Sequence, residues 1–414
     1  MTYEDWVRQQ LRELGRSLSF QYTPDEEIKN RLARIRTRME KEHIEALLVV
    51  QKMNVYYLSG TTQDGFIFIP LEGPPLLMTK RELERAKVES PTKEIVGLKS
   101  SREIPLLIQA HYRKLPVSLG LELDRLPVKD YVRFQELFPG TKLTDGSPVL
   151  RETRKIKSSF EIDLMKKAGE IGKRVYQKAK RILKEGMTEI EFGGLLEAAA
   201  KKNGHEGLLR VNSLNYEAYT WHVLSGLTGG IVSQSDSPMG GLGLSPAFPV
   251  GASLKKIKAH EPILVDFGTC YHGYQADETR MFSIGRMKQK FIDAYKACKE
   301  IHDTVLGEAR PGVDCEAIFM KTLKLARKLG YKDSYLGPPG FQTHFIGHGI
   351  GLELNELPFI AQGQSYPLEV GMTFALEPKI VFYGEGSAGI ENTVAITEKG
   401  HEILTSTSQE IFQV

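Results

Sequence analysis

The chain has 414 residues, 41% of them hydrophobic, and 55 basic against 52 acidic side chains for a formal charge of +3. That length suits two domains with real cores, and the near balance of charge, with no basic block interleaved with aromatics, argues against a nucleic-acid partner. Three cysteines, Cys270, Cys298 and Cys315, without CxxC spacing, exclude a disulfide framework.

The opening stretch, MTYEDWVRQQLRELGR, is charged and reads as an amphipathic helix rather than a secretory signal. No apolar run is long enough to span a membrane. The expectation is a cytoplasmic protein with no membrane partner.

The first 150 residues alternate helix and strand patterns. Spacing predicts a helix over Glu26–His43, a strand over Ala46–Val50, a turn-bounded segment over Asn54–Gly60, and strands over Phe66–Pro70 and Leu76–Thr79. Helical or strand pieces continue through Gly120–Glu122 and Tyr131–Phe138. This reads as a small α/β domain, 1–153, ending at the basic, apolar-poor connector Arg151–Lys157.

A long helix is expected next. Ser158 and Glu161 have capping-box spacing, and Met165, Ala168, Ile171, Val175, Ala179 and Ile182 form one apolar stripe. The chain then repeats a pattern. GMTEIEFGGLLEAAAKKNG, 186–204, and GVDCEAIFMKTLKLARKLG, 312–330, each start at Gly, cap with Thr or Asp, and stop at Gly after the same interval. Each follows a longer helix, at 158–185 and about 288–308, and each precedes strand-like sequence. The matched order predicts a duplicated α/β unit with a ligand cleft between its halves, in a second domain, 154–414. Between the repeats, Gly226–Phe248 is rich in Gly and Ser and lacks periodicity; it reads as a lid, a cleft wall or a surface excursion.

VDFGTCYHGYQADETR, 265–280, ends an apolar run on Asp266 and repeats the carboxylate at Asp277. A tight turn at His272-Gly273 would set Asp266 opposite Thr279, with Asp277 its diagonal neighbour on the same face, roughly 7–8 Å away or less. Carboxylates so close repel unless a cation lies between them or one stays protonated. Three further segments add donors. THFIGHGIGLELNELP, 343–358, holds His344 and His348; MTFALEPKIV, 372–381, puts Glu377 in an apolar run; GIENTVAIT, 389–397, holds Glu391. A buried Glu is costly unless paired or metal-bound. Four carboxylates and one imidazole suit two hard or borderline divalent ions, such as Mn²⁺, Co²⁺, Zn²⁺ or Fe²⁺, and do not suit a Cys/His structural zinc. GEGSAG, 384–389, matches GxGxxG but leads into a strand pattern, which argues against a dinucleotide site.

These segments, VDFG, GYQADETRMF, GHGIGL, LEP and GIENTV in that order, with NVYYLSG and RKIKSSFEI upstream, resemble the proline-directed branch of the pita-bread metallopeptidases: prolidase (Xaa-Pro dipeptidase) and aminopeptidase P. The resemblance covers nearly the whole chain. It implies an α+β fold, with a small creatinase-like α/β amino-terminal domain and a duplicated pita-bread catalytic domain. It also implies two divalent ions, manganese first, held by Asp266, Asp277, His348, Glu377 and Glu391, with Asp277 and Glu391 bridging. A water between the ions would be the nucleophile and Glu377 its proton shuttle. His344 would polarise the carbonyl. The substrate would be a small peptide or amide, lined by His344, Asn355 and His222, and the assembly a homodimer. Three family positions depart: a histidine about seventeen residues before the first Asp falls near Pro249, another is Asn355, and an arginine is Gly389. His222 and His260 are candidates to fill the vacated space. Those departures keep two alternatives open, a different small-molecule reaction (amide hydrolase or lyase) and a non-catalytic binding homologue.

Overall fold

The structure is a computed structural model that describes residues 1–213, 221–234 and 237–414. The chain divides into two compact units, Met1–Arg154 and Lys155–Val414.

The first unit runs α1 (Tyr3–Ser17), α2 (Asp25–Lys41), β1 (Ala46–Val49), α3 (Lys52–Ser59), β2 (Gly65–Pro70), β3 (Leu76–Thr79), α4 (Leu83–Glu89), β4 (Glu94–Gly97), α5 (Ile104–Tyr112), β5 (Ser118–Leu121), α6 (Val128–Leu137), β6 (Lys142–Asp145) and α7 (Ser147–Arg154). Its six strands form one mixed sheet, ordered β4-β3-β2-β1-β5-β6. Two local readings need correction. Asn54–Gly60 is not a turn-bounded segment but most of α3. The Gln51 side chain accepts from the Asn54 amide at 2.8 Å, and Gly60 at φ 80° closes the helix. The aromatic and branched residues of NVYYLSG favour strand locally, but burial of Met53, Val55, Tyr57 and Leu58 decides for helix. Likewise Arg151–Arg154 is no connector. It is the last turn of α7, where buried Arg154 donates to the Asn54 side chain at 2.8 Å.

The second unit contains the duplication. α8 (Ser159–Ile182) and α9 (Glu189–Lys202) precede β7 (Trp221–Ser225), β8 (Ile263–Tyr271) and β9 (Tyr274–Ser283). α10 (Gln289–Glu308) and α11 (Cys315–Lys328) precede β10 (Phe345–Gly349), β11 (Glu356–Ala361), β12 (Thr373–Leu376), β13 (Lys379–Phe382), β14 (Gly386–Gly389), β15 (Asn392–Thr397) and β16 (Gly400–Ile403), with β17 (Phe412–Gln413) last. The first sheet is β17-β9-β8-β7, the second is β11-β10-β12-β15-β16, and β13 with β14 forms a separate ribbon.

Local chemistry sets these helices. The Ser158–Glu161 capping box closes with hydrogen bonds of 3.2 and 2.8 Å. The apolar stripe of α8 packs on the β7–β9 sheet, while α10 packs on the β13–β14 ribbon and α11 on β11 of the second sheet, within one larger core. α9 starts on a Thr188 cap and α11 on an Asp314 cap. The four glycines that bound the repeats, Gly186, Gly204, Gly312 and Gly330, all adopt positive φ, between 86° and 100°. A side chain there would meet the left-handed penalty. Of the unperiodic stretch 226–248, residues 235 and 236 lie outside the described residues; Gly226–Gly230 forms a short 3₁₀ turn.

Gly186 and Gly312 have open space where a Cβ would project, so backbone strain is the only cost of filling it. Gly186→Ala and Gly312→Ala should each lower unfolding free energy by about 1–2 kcal/mol, and by similar amounts, in chemical denaturation.

Candidate metal centre

The β8–β9 hairpin has the register that the sequence implies. Tyr271 faces Tyr274 across a turn in which His272 and Gly273 sit at φ 50° and 78°. Asp266 is opposite Thr279, and Asp277 is opposite Gly268. A strand interval of two places both carboxylates on one face. The second half supplies the remaining donors. His348 is on β10, which lies beside β12; Glu377 follows β12, and Glu391 separates β14 from β15. All five sequence-expected donors lie in this unit: Asp266, Asp277 and His348 within strands, Glu377 and Glu391 beside strand ends.

Asp277, His348 and Glu391 each offer an atom within 4.8 Å of the others. That donor set fits a divalent ion of intermediate hardness. His348 Nε2 also lies 3.4 Å from Glu377 Oε1. Around the donors, polar side chains fix orientation. The Thr279 hydroxyl donates to Glu391 Oε2 at 2.6 Å. The Asp277 amide donates to Thr393 Oγ1 at 2.8 Å, and that hydroxyl donates to the Asp277 carbonyl at 2.9 Å. Arg280, completely buried, pairs with Glu278 at 2.7 Å and donates to the Glu391 carbonyl at 2.7 Å, tying β9 to the link between β14 and β15 that carries the last carboxylate.

One further side chain enters the cluster. Lys379, 1% exposed, places its ammonium 2.7 Å from Glu377 Oε2, 3.0 Å from Asp266 Oδ2 and 3.3 Å from Glu391 Oε2. Lys379 lies in the same apolar run, MTFALEPKIV, as Glu377, and its role was missed from the residues alone. The signal was the one applied to Glu377: a charge in an apolar strand must have a partner. The lysine also explains the missing arginine at Gly389. The two residues are cross-strand partners in β13–β14, and a Cβ on Gly389 would come 2.6 Å from Lys379 Cγ. The cation absent from one strand of the ribbon is present on the other.

The electrostatics follow from burial and from this lysine. Burial alone would raise Asp266, but the Lys379 charge and the His222 contact override it and hold the carboxyl below its usual range. Burial and then the Asp266 charge push Asp277 up, and burial and then the Asp277 charge push Glu391 up. Burial would lower Lys379, but Asp266, Glu377 and Glu391 keep it firmly protonated.

The expected substrate residues are placed unevenly. His222 is opposite Asp266 on β7, buried, with Nδ1 3.8 Å from Asp266 Oδ2, so it joins the cluster from the first sheet. His344 is exposed, just before β10 and four residues from His348. The Asn355 side chain is engaged with the main chain of Asn212, accepting from its amide at 2.6 Å and donating to its carbonyl at 3.4 Å. The Pro249 carbonyl accepts from Ser233 at 2.6 Å. His260 is exposed and sits against the Arg286 carbonyl, apart from the cluster.

With this geometry in place, the relatives are informative. Residues 163–398 match metallopeptidase family M24, and residues 31–156 match the creatinase/prolidase N-terminal domain. The chain belongs to metallopeptidase family M24 and combines a creatinase-like amino-terminal domain with a pita-bread domain. It is similar to the Xaa-Pro dipeptidase of Pyrococcus furiosus, 28% identical over 93% of this chain and 100% of that protein. Among solved structures it resembles the prolidase of Pyrococcus horikoshii, with a TM-score of 0.77 and 27% identity over 92% of this chain and 99% of that one. It also resembles the X-Pro aminopeptidase of Thermotoga maritima, with a TM-score of 0.77 and 26% identity over 92% and 99%. Family M24 peptidases use divalent metals. No described helix is long and apolar enough to cross a membrane.

Because Asp277 and Glu391 hold their protons to higher pH than ordinary carboxyls, an incoming ion must displace protons from them. Divalent-ion affinity, probed with Mn²⁺, should therefore fall as pH is lowered, with proton release on binding, measured by calorimetry in buffers of different ionisation enthalpy. His348→Ala should weaken binding by more than the roughly 10–100-fold typical of losing an outer partner.

Proposed function

We propose that this protein is a divalent-metal-dependent hydrolase of small proline-containing peptides, acting as an Xaa-Pro dipeptidase or in the manner of aminopeptidase P. The observation that carries the reading is the grouping of Asp277, His348 and Glu391 from both halves of the duplicated domain, with Glu377 beside His348 and Asp266 joined to Glu377 and Glu391 through Lys379. Retention of all five donors speaks against a non-catalytic homologue. Manganese is the proposed ion, the cytoplasm the proposed location, and a homodimer the proposed assembly.

Asp277, His348 and Glu391 would hold an ion, which when bound supplies Lewis-acid polarisation and lowers the pKa of a coordinated water. The chain's own groups do the rest. Glu377 would take a proton at Oε1, the oxygen facing His348, while its Oε2 stays fixed by Lys379. His222 buttresses Asp266 and thereby the β8 wall of the cluster. His344, exposed beside β10, would donate to the developing oxyanion of the scissile carbonyl. The resemblance alone carries that last role.

A second reading keeps the fold and metal but changes the reaction to another amide hydrolysis or a lyase step. The engagement of Asn355 with the Asn212 main chain favours it, since that amide is then withdrawn from a substrate.

The test is hydrolysis of a panel of Xaa-Pro dipeptides and longer peptides with proline second, in Mn²⁺. Dipeptide cleavage that a chelator abolishes is the expected result; no release from any member, with metal bound, would favour the second reading. Glu377→Gln should lower kcat by about 10²–10⁴-fold. Asp277→Ala should lose ion and turnover together.

A further inference from the structure

We infer that Lys379 is a built-in cation occupying one of the two ion positions of this site, so that the protein binds a single divalent ion, at Asp277, His348 and Glu391. The inference rests on the metallohydrolase reading and changes its metal count.

Three observations converge. First, the ammonium is within 3.3 Å of three of the four carboxylates, including both that lie outside the Asp277–His348–Glu391 group, Asp266 and Glu377. A metal between Asp266 and Glu391 would have to sit about 2.0–2.2 Å from the same oxygens. It would therefore fall almost on the nitrogen and would repel it. Second, the lysine has no evident way out. It is 1% exposed, its backbone is fixed in β13 opposite Gly389, and its carbonyl accepts from the Leu336 amide at 2.8 Å. Its stem lies over Gly389, its cross-strand partner, which has no side chain to displace it. Third, the donors sort around two positive centres. Asp266 is held by Lys379 and His222, while Asp277 and His348 are grouped with Glu391, the one member of that group that the ammonium also reaches, at 3.3 Å. A single-ion site with a fixed ammonium beside it retains a positive charge at both positions. Only one of them can bind and polarise a water; the other can only donate hydrogen bonds. Lys379 is thus a charge-positioning residue that orients Asp266 and Glu377.

The experiment is metal stoichiometry on the full-length protein, loaded with Mn²⁺, freed of unbound metal by gel filtration and measured by mass spectrometry. Xaa-Pro hydrolysis is assayed on the same sample. The wild type should hold one manganese per chain and give the paramagnetic resonance spectrum of an isolated ion, and Lys379→Ala should hold two and give a coupled pair. Two ions in the wild type, or one in folded Lys379→Ala, overturn the inference. Two ions with Xaa-Pro cleavage overturn it while leaving the peptidase reading intact. One ion with no peptide or amide cleavage supports it and overturns the peptidase reading. No bound ion overturns both. If Lys379→Ala does not fold, anomalous scattering from a manganese-soaked wild-type crystal decides: one peak beside Asp277, His348 and Glu391 supports the inference, and a second peak against Asp266 overturns it.

Discussion

Four carboxylates confined to one water-poor spot are the constraint on which the second unit depends. Asp277, Glu377 and Glu391 are each under 10% exposed, and Asp266 is little more open. Leaving one such charge without a partner costs about 3–5 kcal/mol. Positive charge has to be brought to them, and the fold is arranged to do so. Part of it is covalent, in Lys379, and part is left to an ion. Arg280 does not contribute to that balance directly. Its charge is matched by Glu278, and its remaining donors hold main-chain carbonyls of residues 279, 391, 407 and 408. It serves as a clasp that keeps the strands at the spacing the carboxylates require.

The duplication makes this concentration of charge possible. Each half contributes a helix pair and a sheet; one apolar cluster packs α8 and α9 on the first sheet, and a second joins α10 and α11 to the later strands and to Leu224, Leu264 and Met281 of the first sheet. The donors lie where the two sheets meet, joined by the hydrogen bond from the Glu391 amide to the Thr279 carbonyl at 3.3 Å. The polar cluster is thus flanked by two apolar layers, one of which spans both sheets. Packing energy comes from the layers, and the centre is free to hold groups chosen for chemistry. The positive-φ glycines at the repeat boundaries turn the chain sharply enough for each helix pair to return onto its sheet.

Much of this was legible from residue order because the signals were local. The turn at His272-Gly273 fixed the register of Asp266 and Asp277, and the Ser158–Glu161 spacing fixed the start of α8. The repeat was visible because two pairs of glycines, Gly186/Gly204 and Gly312/Gly330, share the same spacing. What escaped reading depended on contacts distant in sequence. NVYYLSG became helix because its apolar residues are buried on most sides. RETR became a helix end because Arg154 reaches Asn54, one hundred residues earlier. Asn355 looked available for a ligand, yet the chain returns at residue 212 to take up its amide. Lys379 was the most consequential omission. Reading carboxylates as a set drew attention to ligands, and a lone cation among them was passed over, although its apolar neighbours carried the same signal as those of Glu377.

The β13–β14 ribbon also limits how this site could have changed over time. Lys379 and Gly389 face one another, and no side chain fits at 389 while the lysine stem lies across it. An arginine could enter at 389 only after the lysine had been replaced by something shorter. In the opposite direction, the glycine had to come first. The two positions are therefore coupled: a variant with neither cation on the ribbon would leave the carboxylates to rely on dissolved ions.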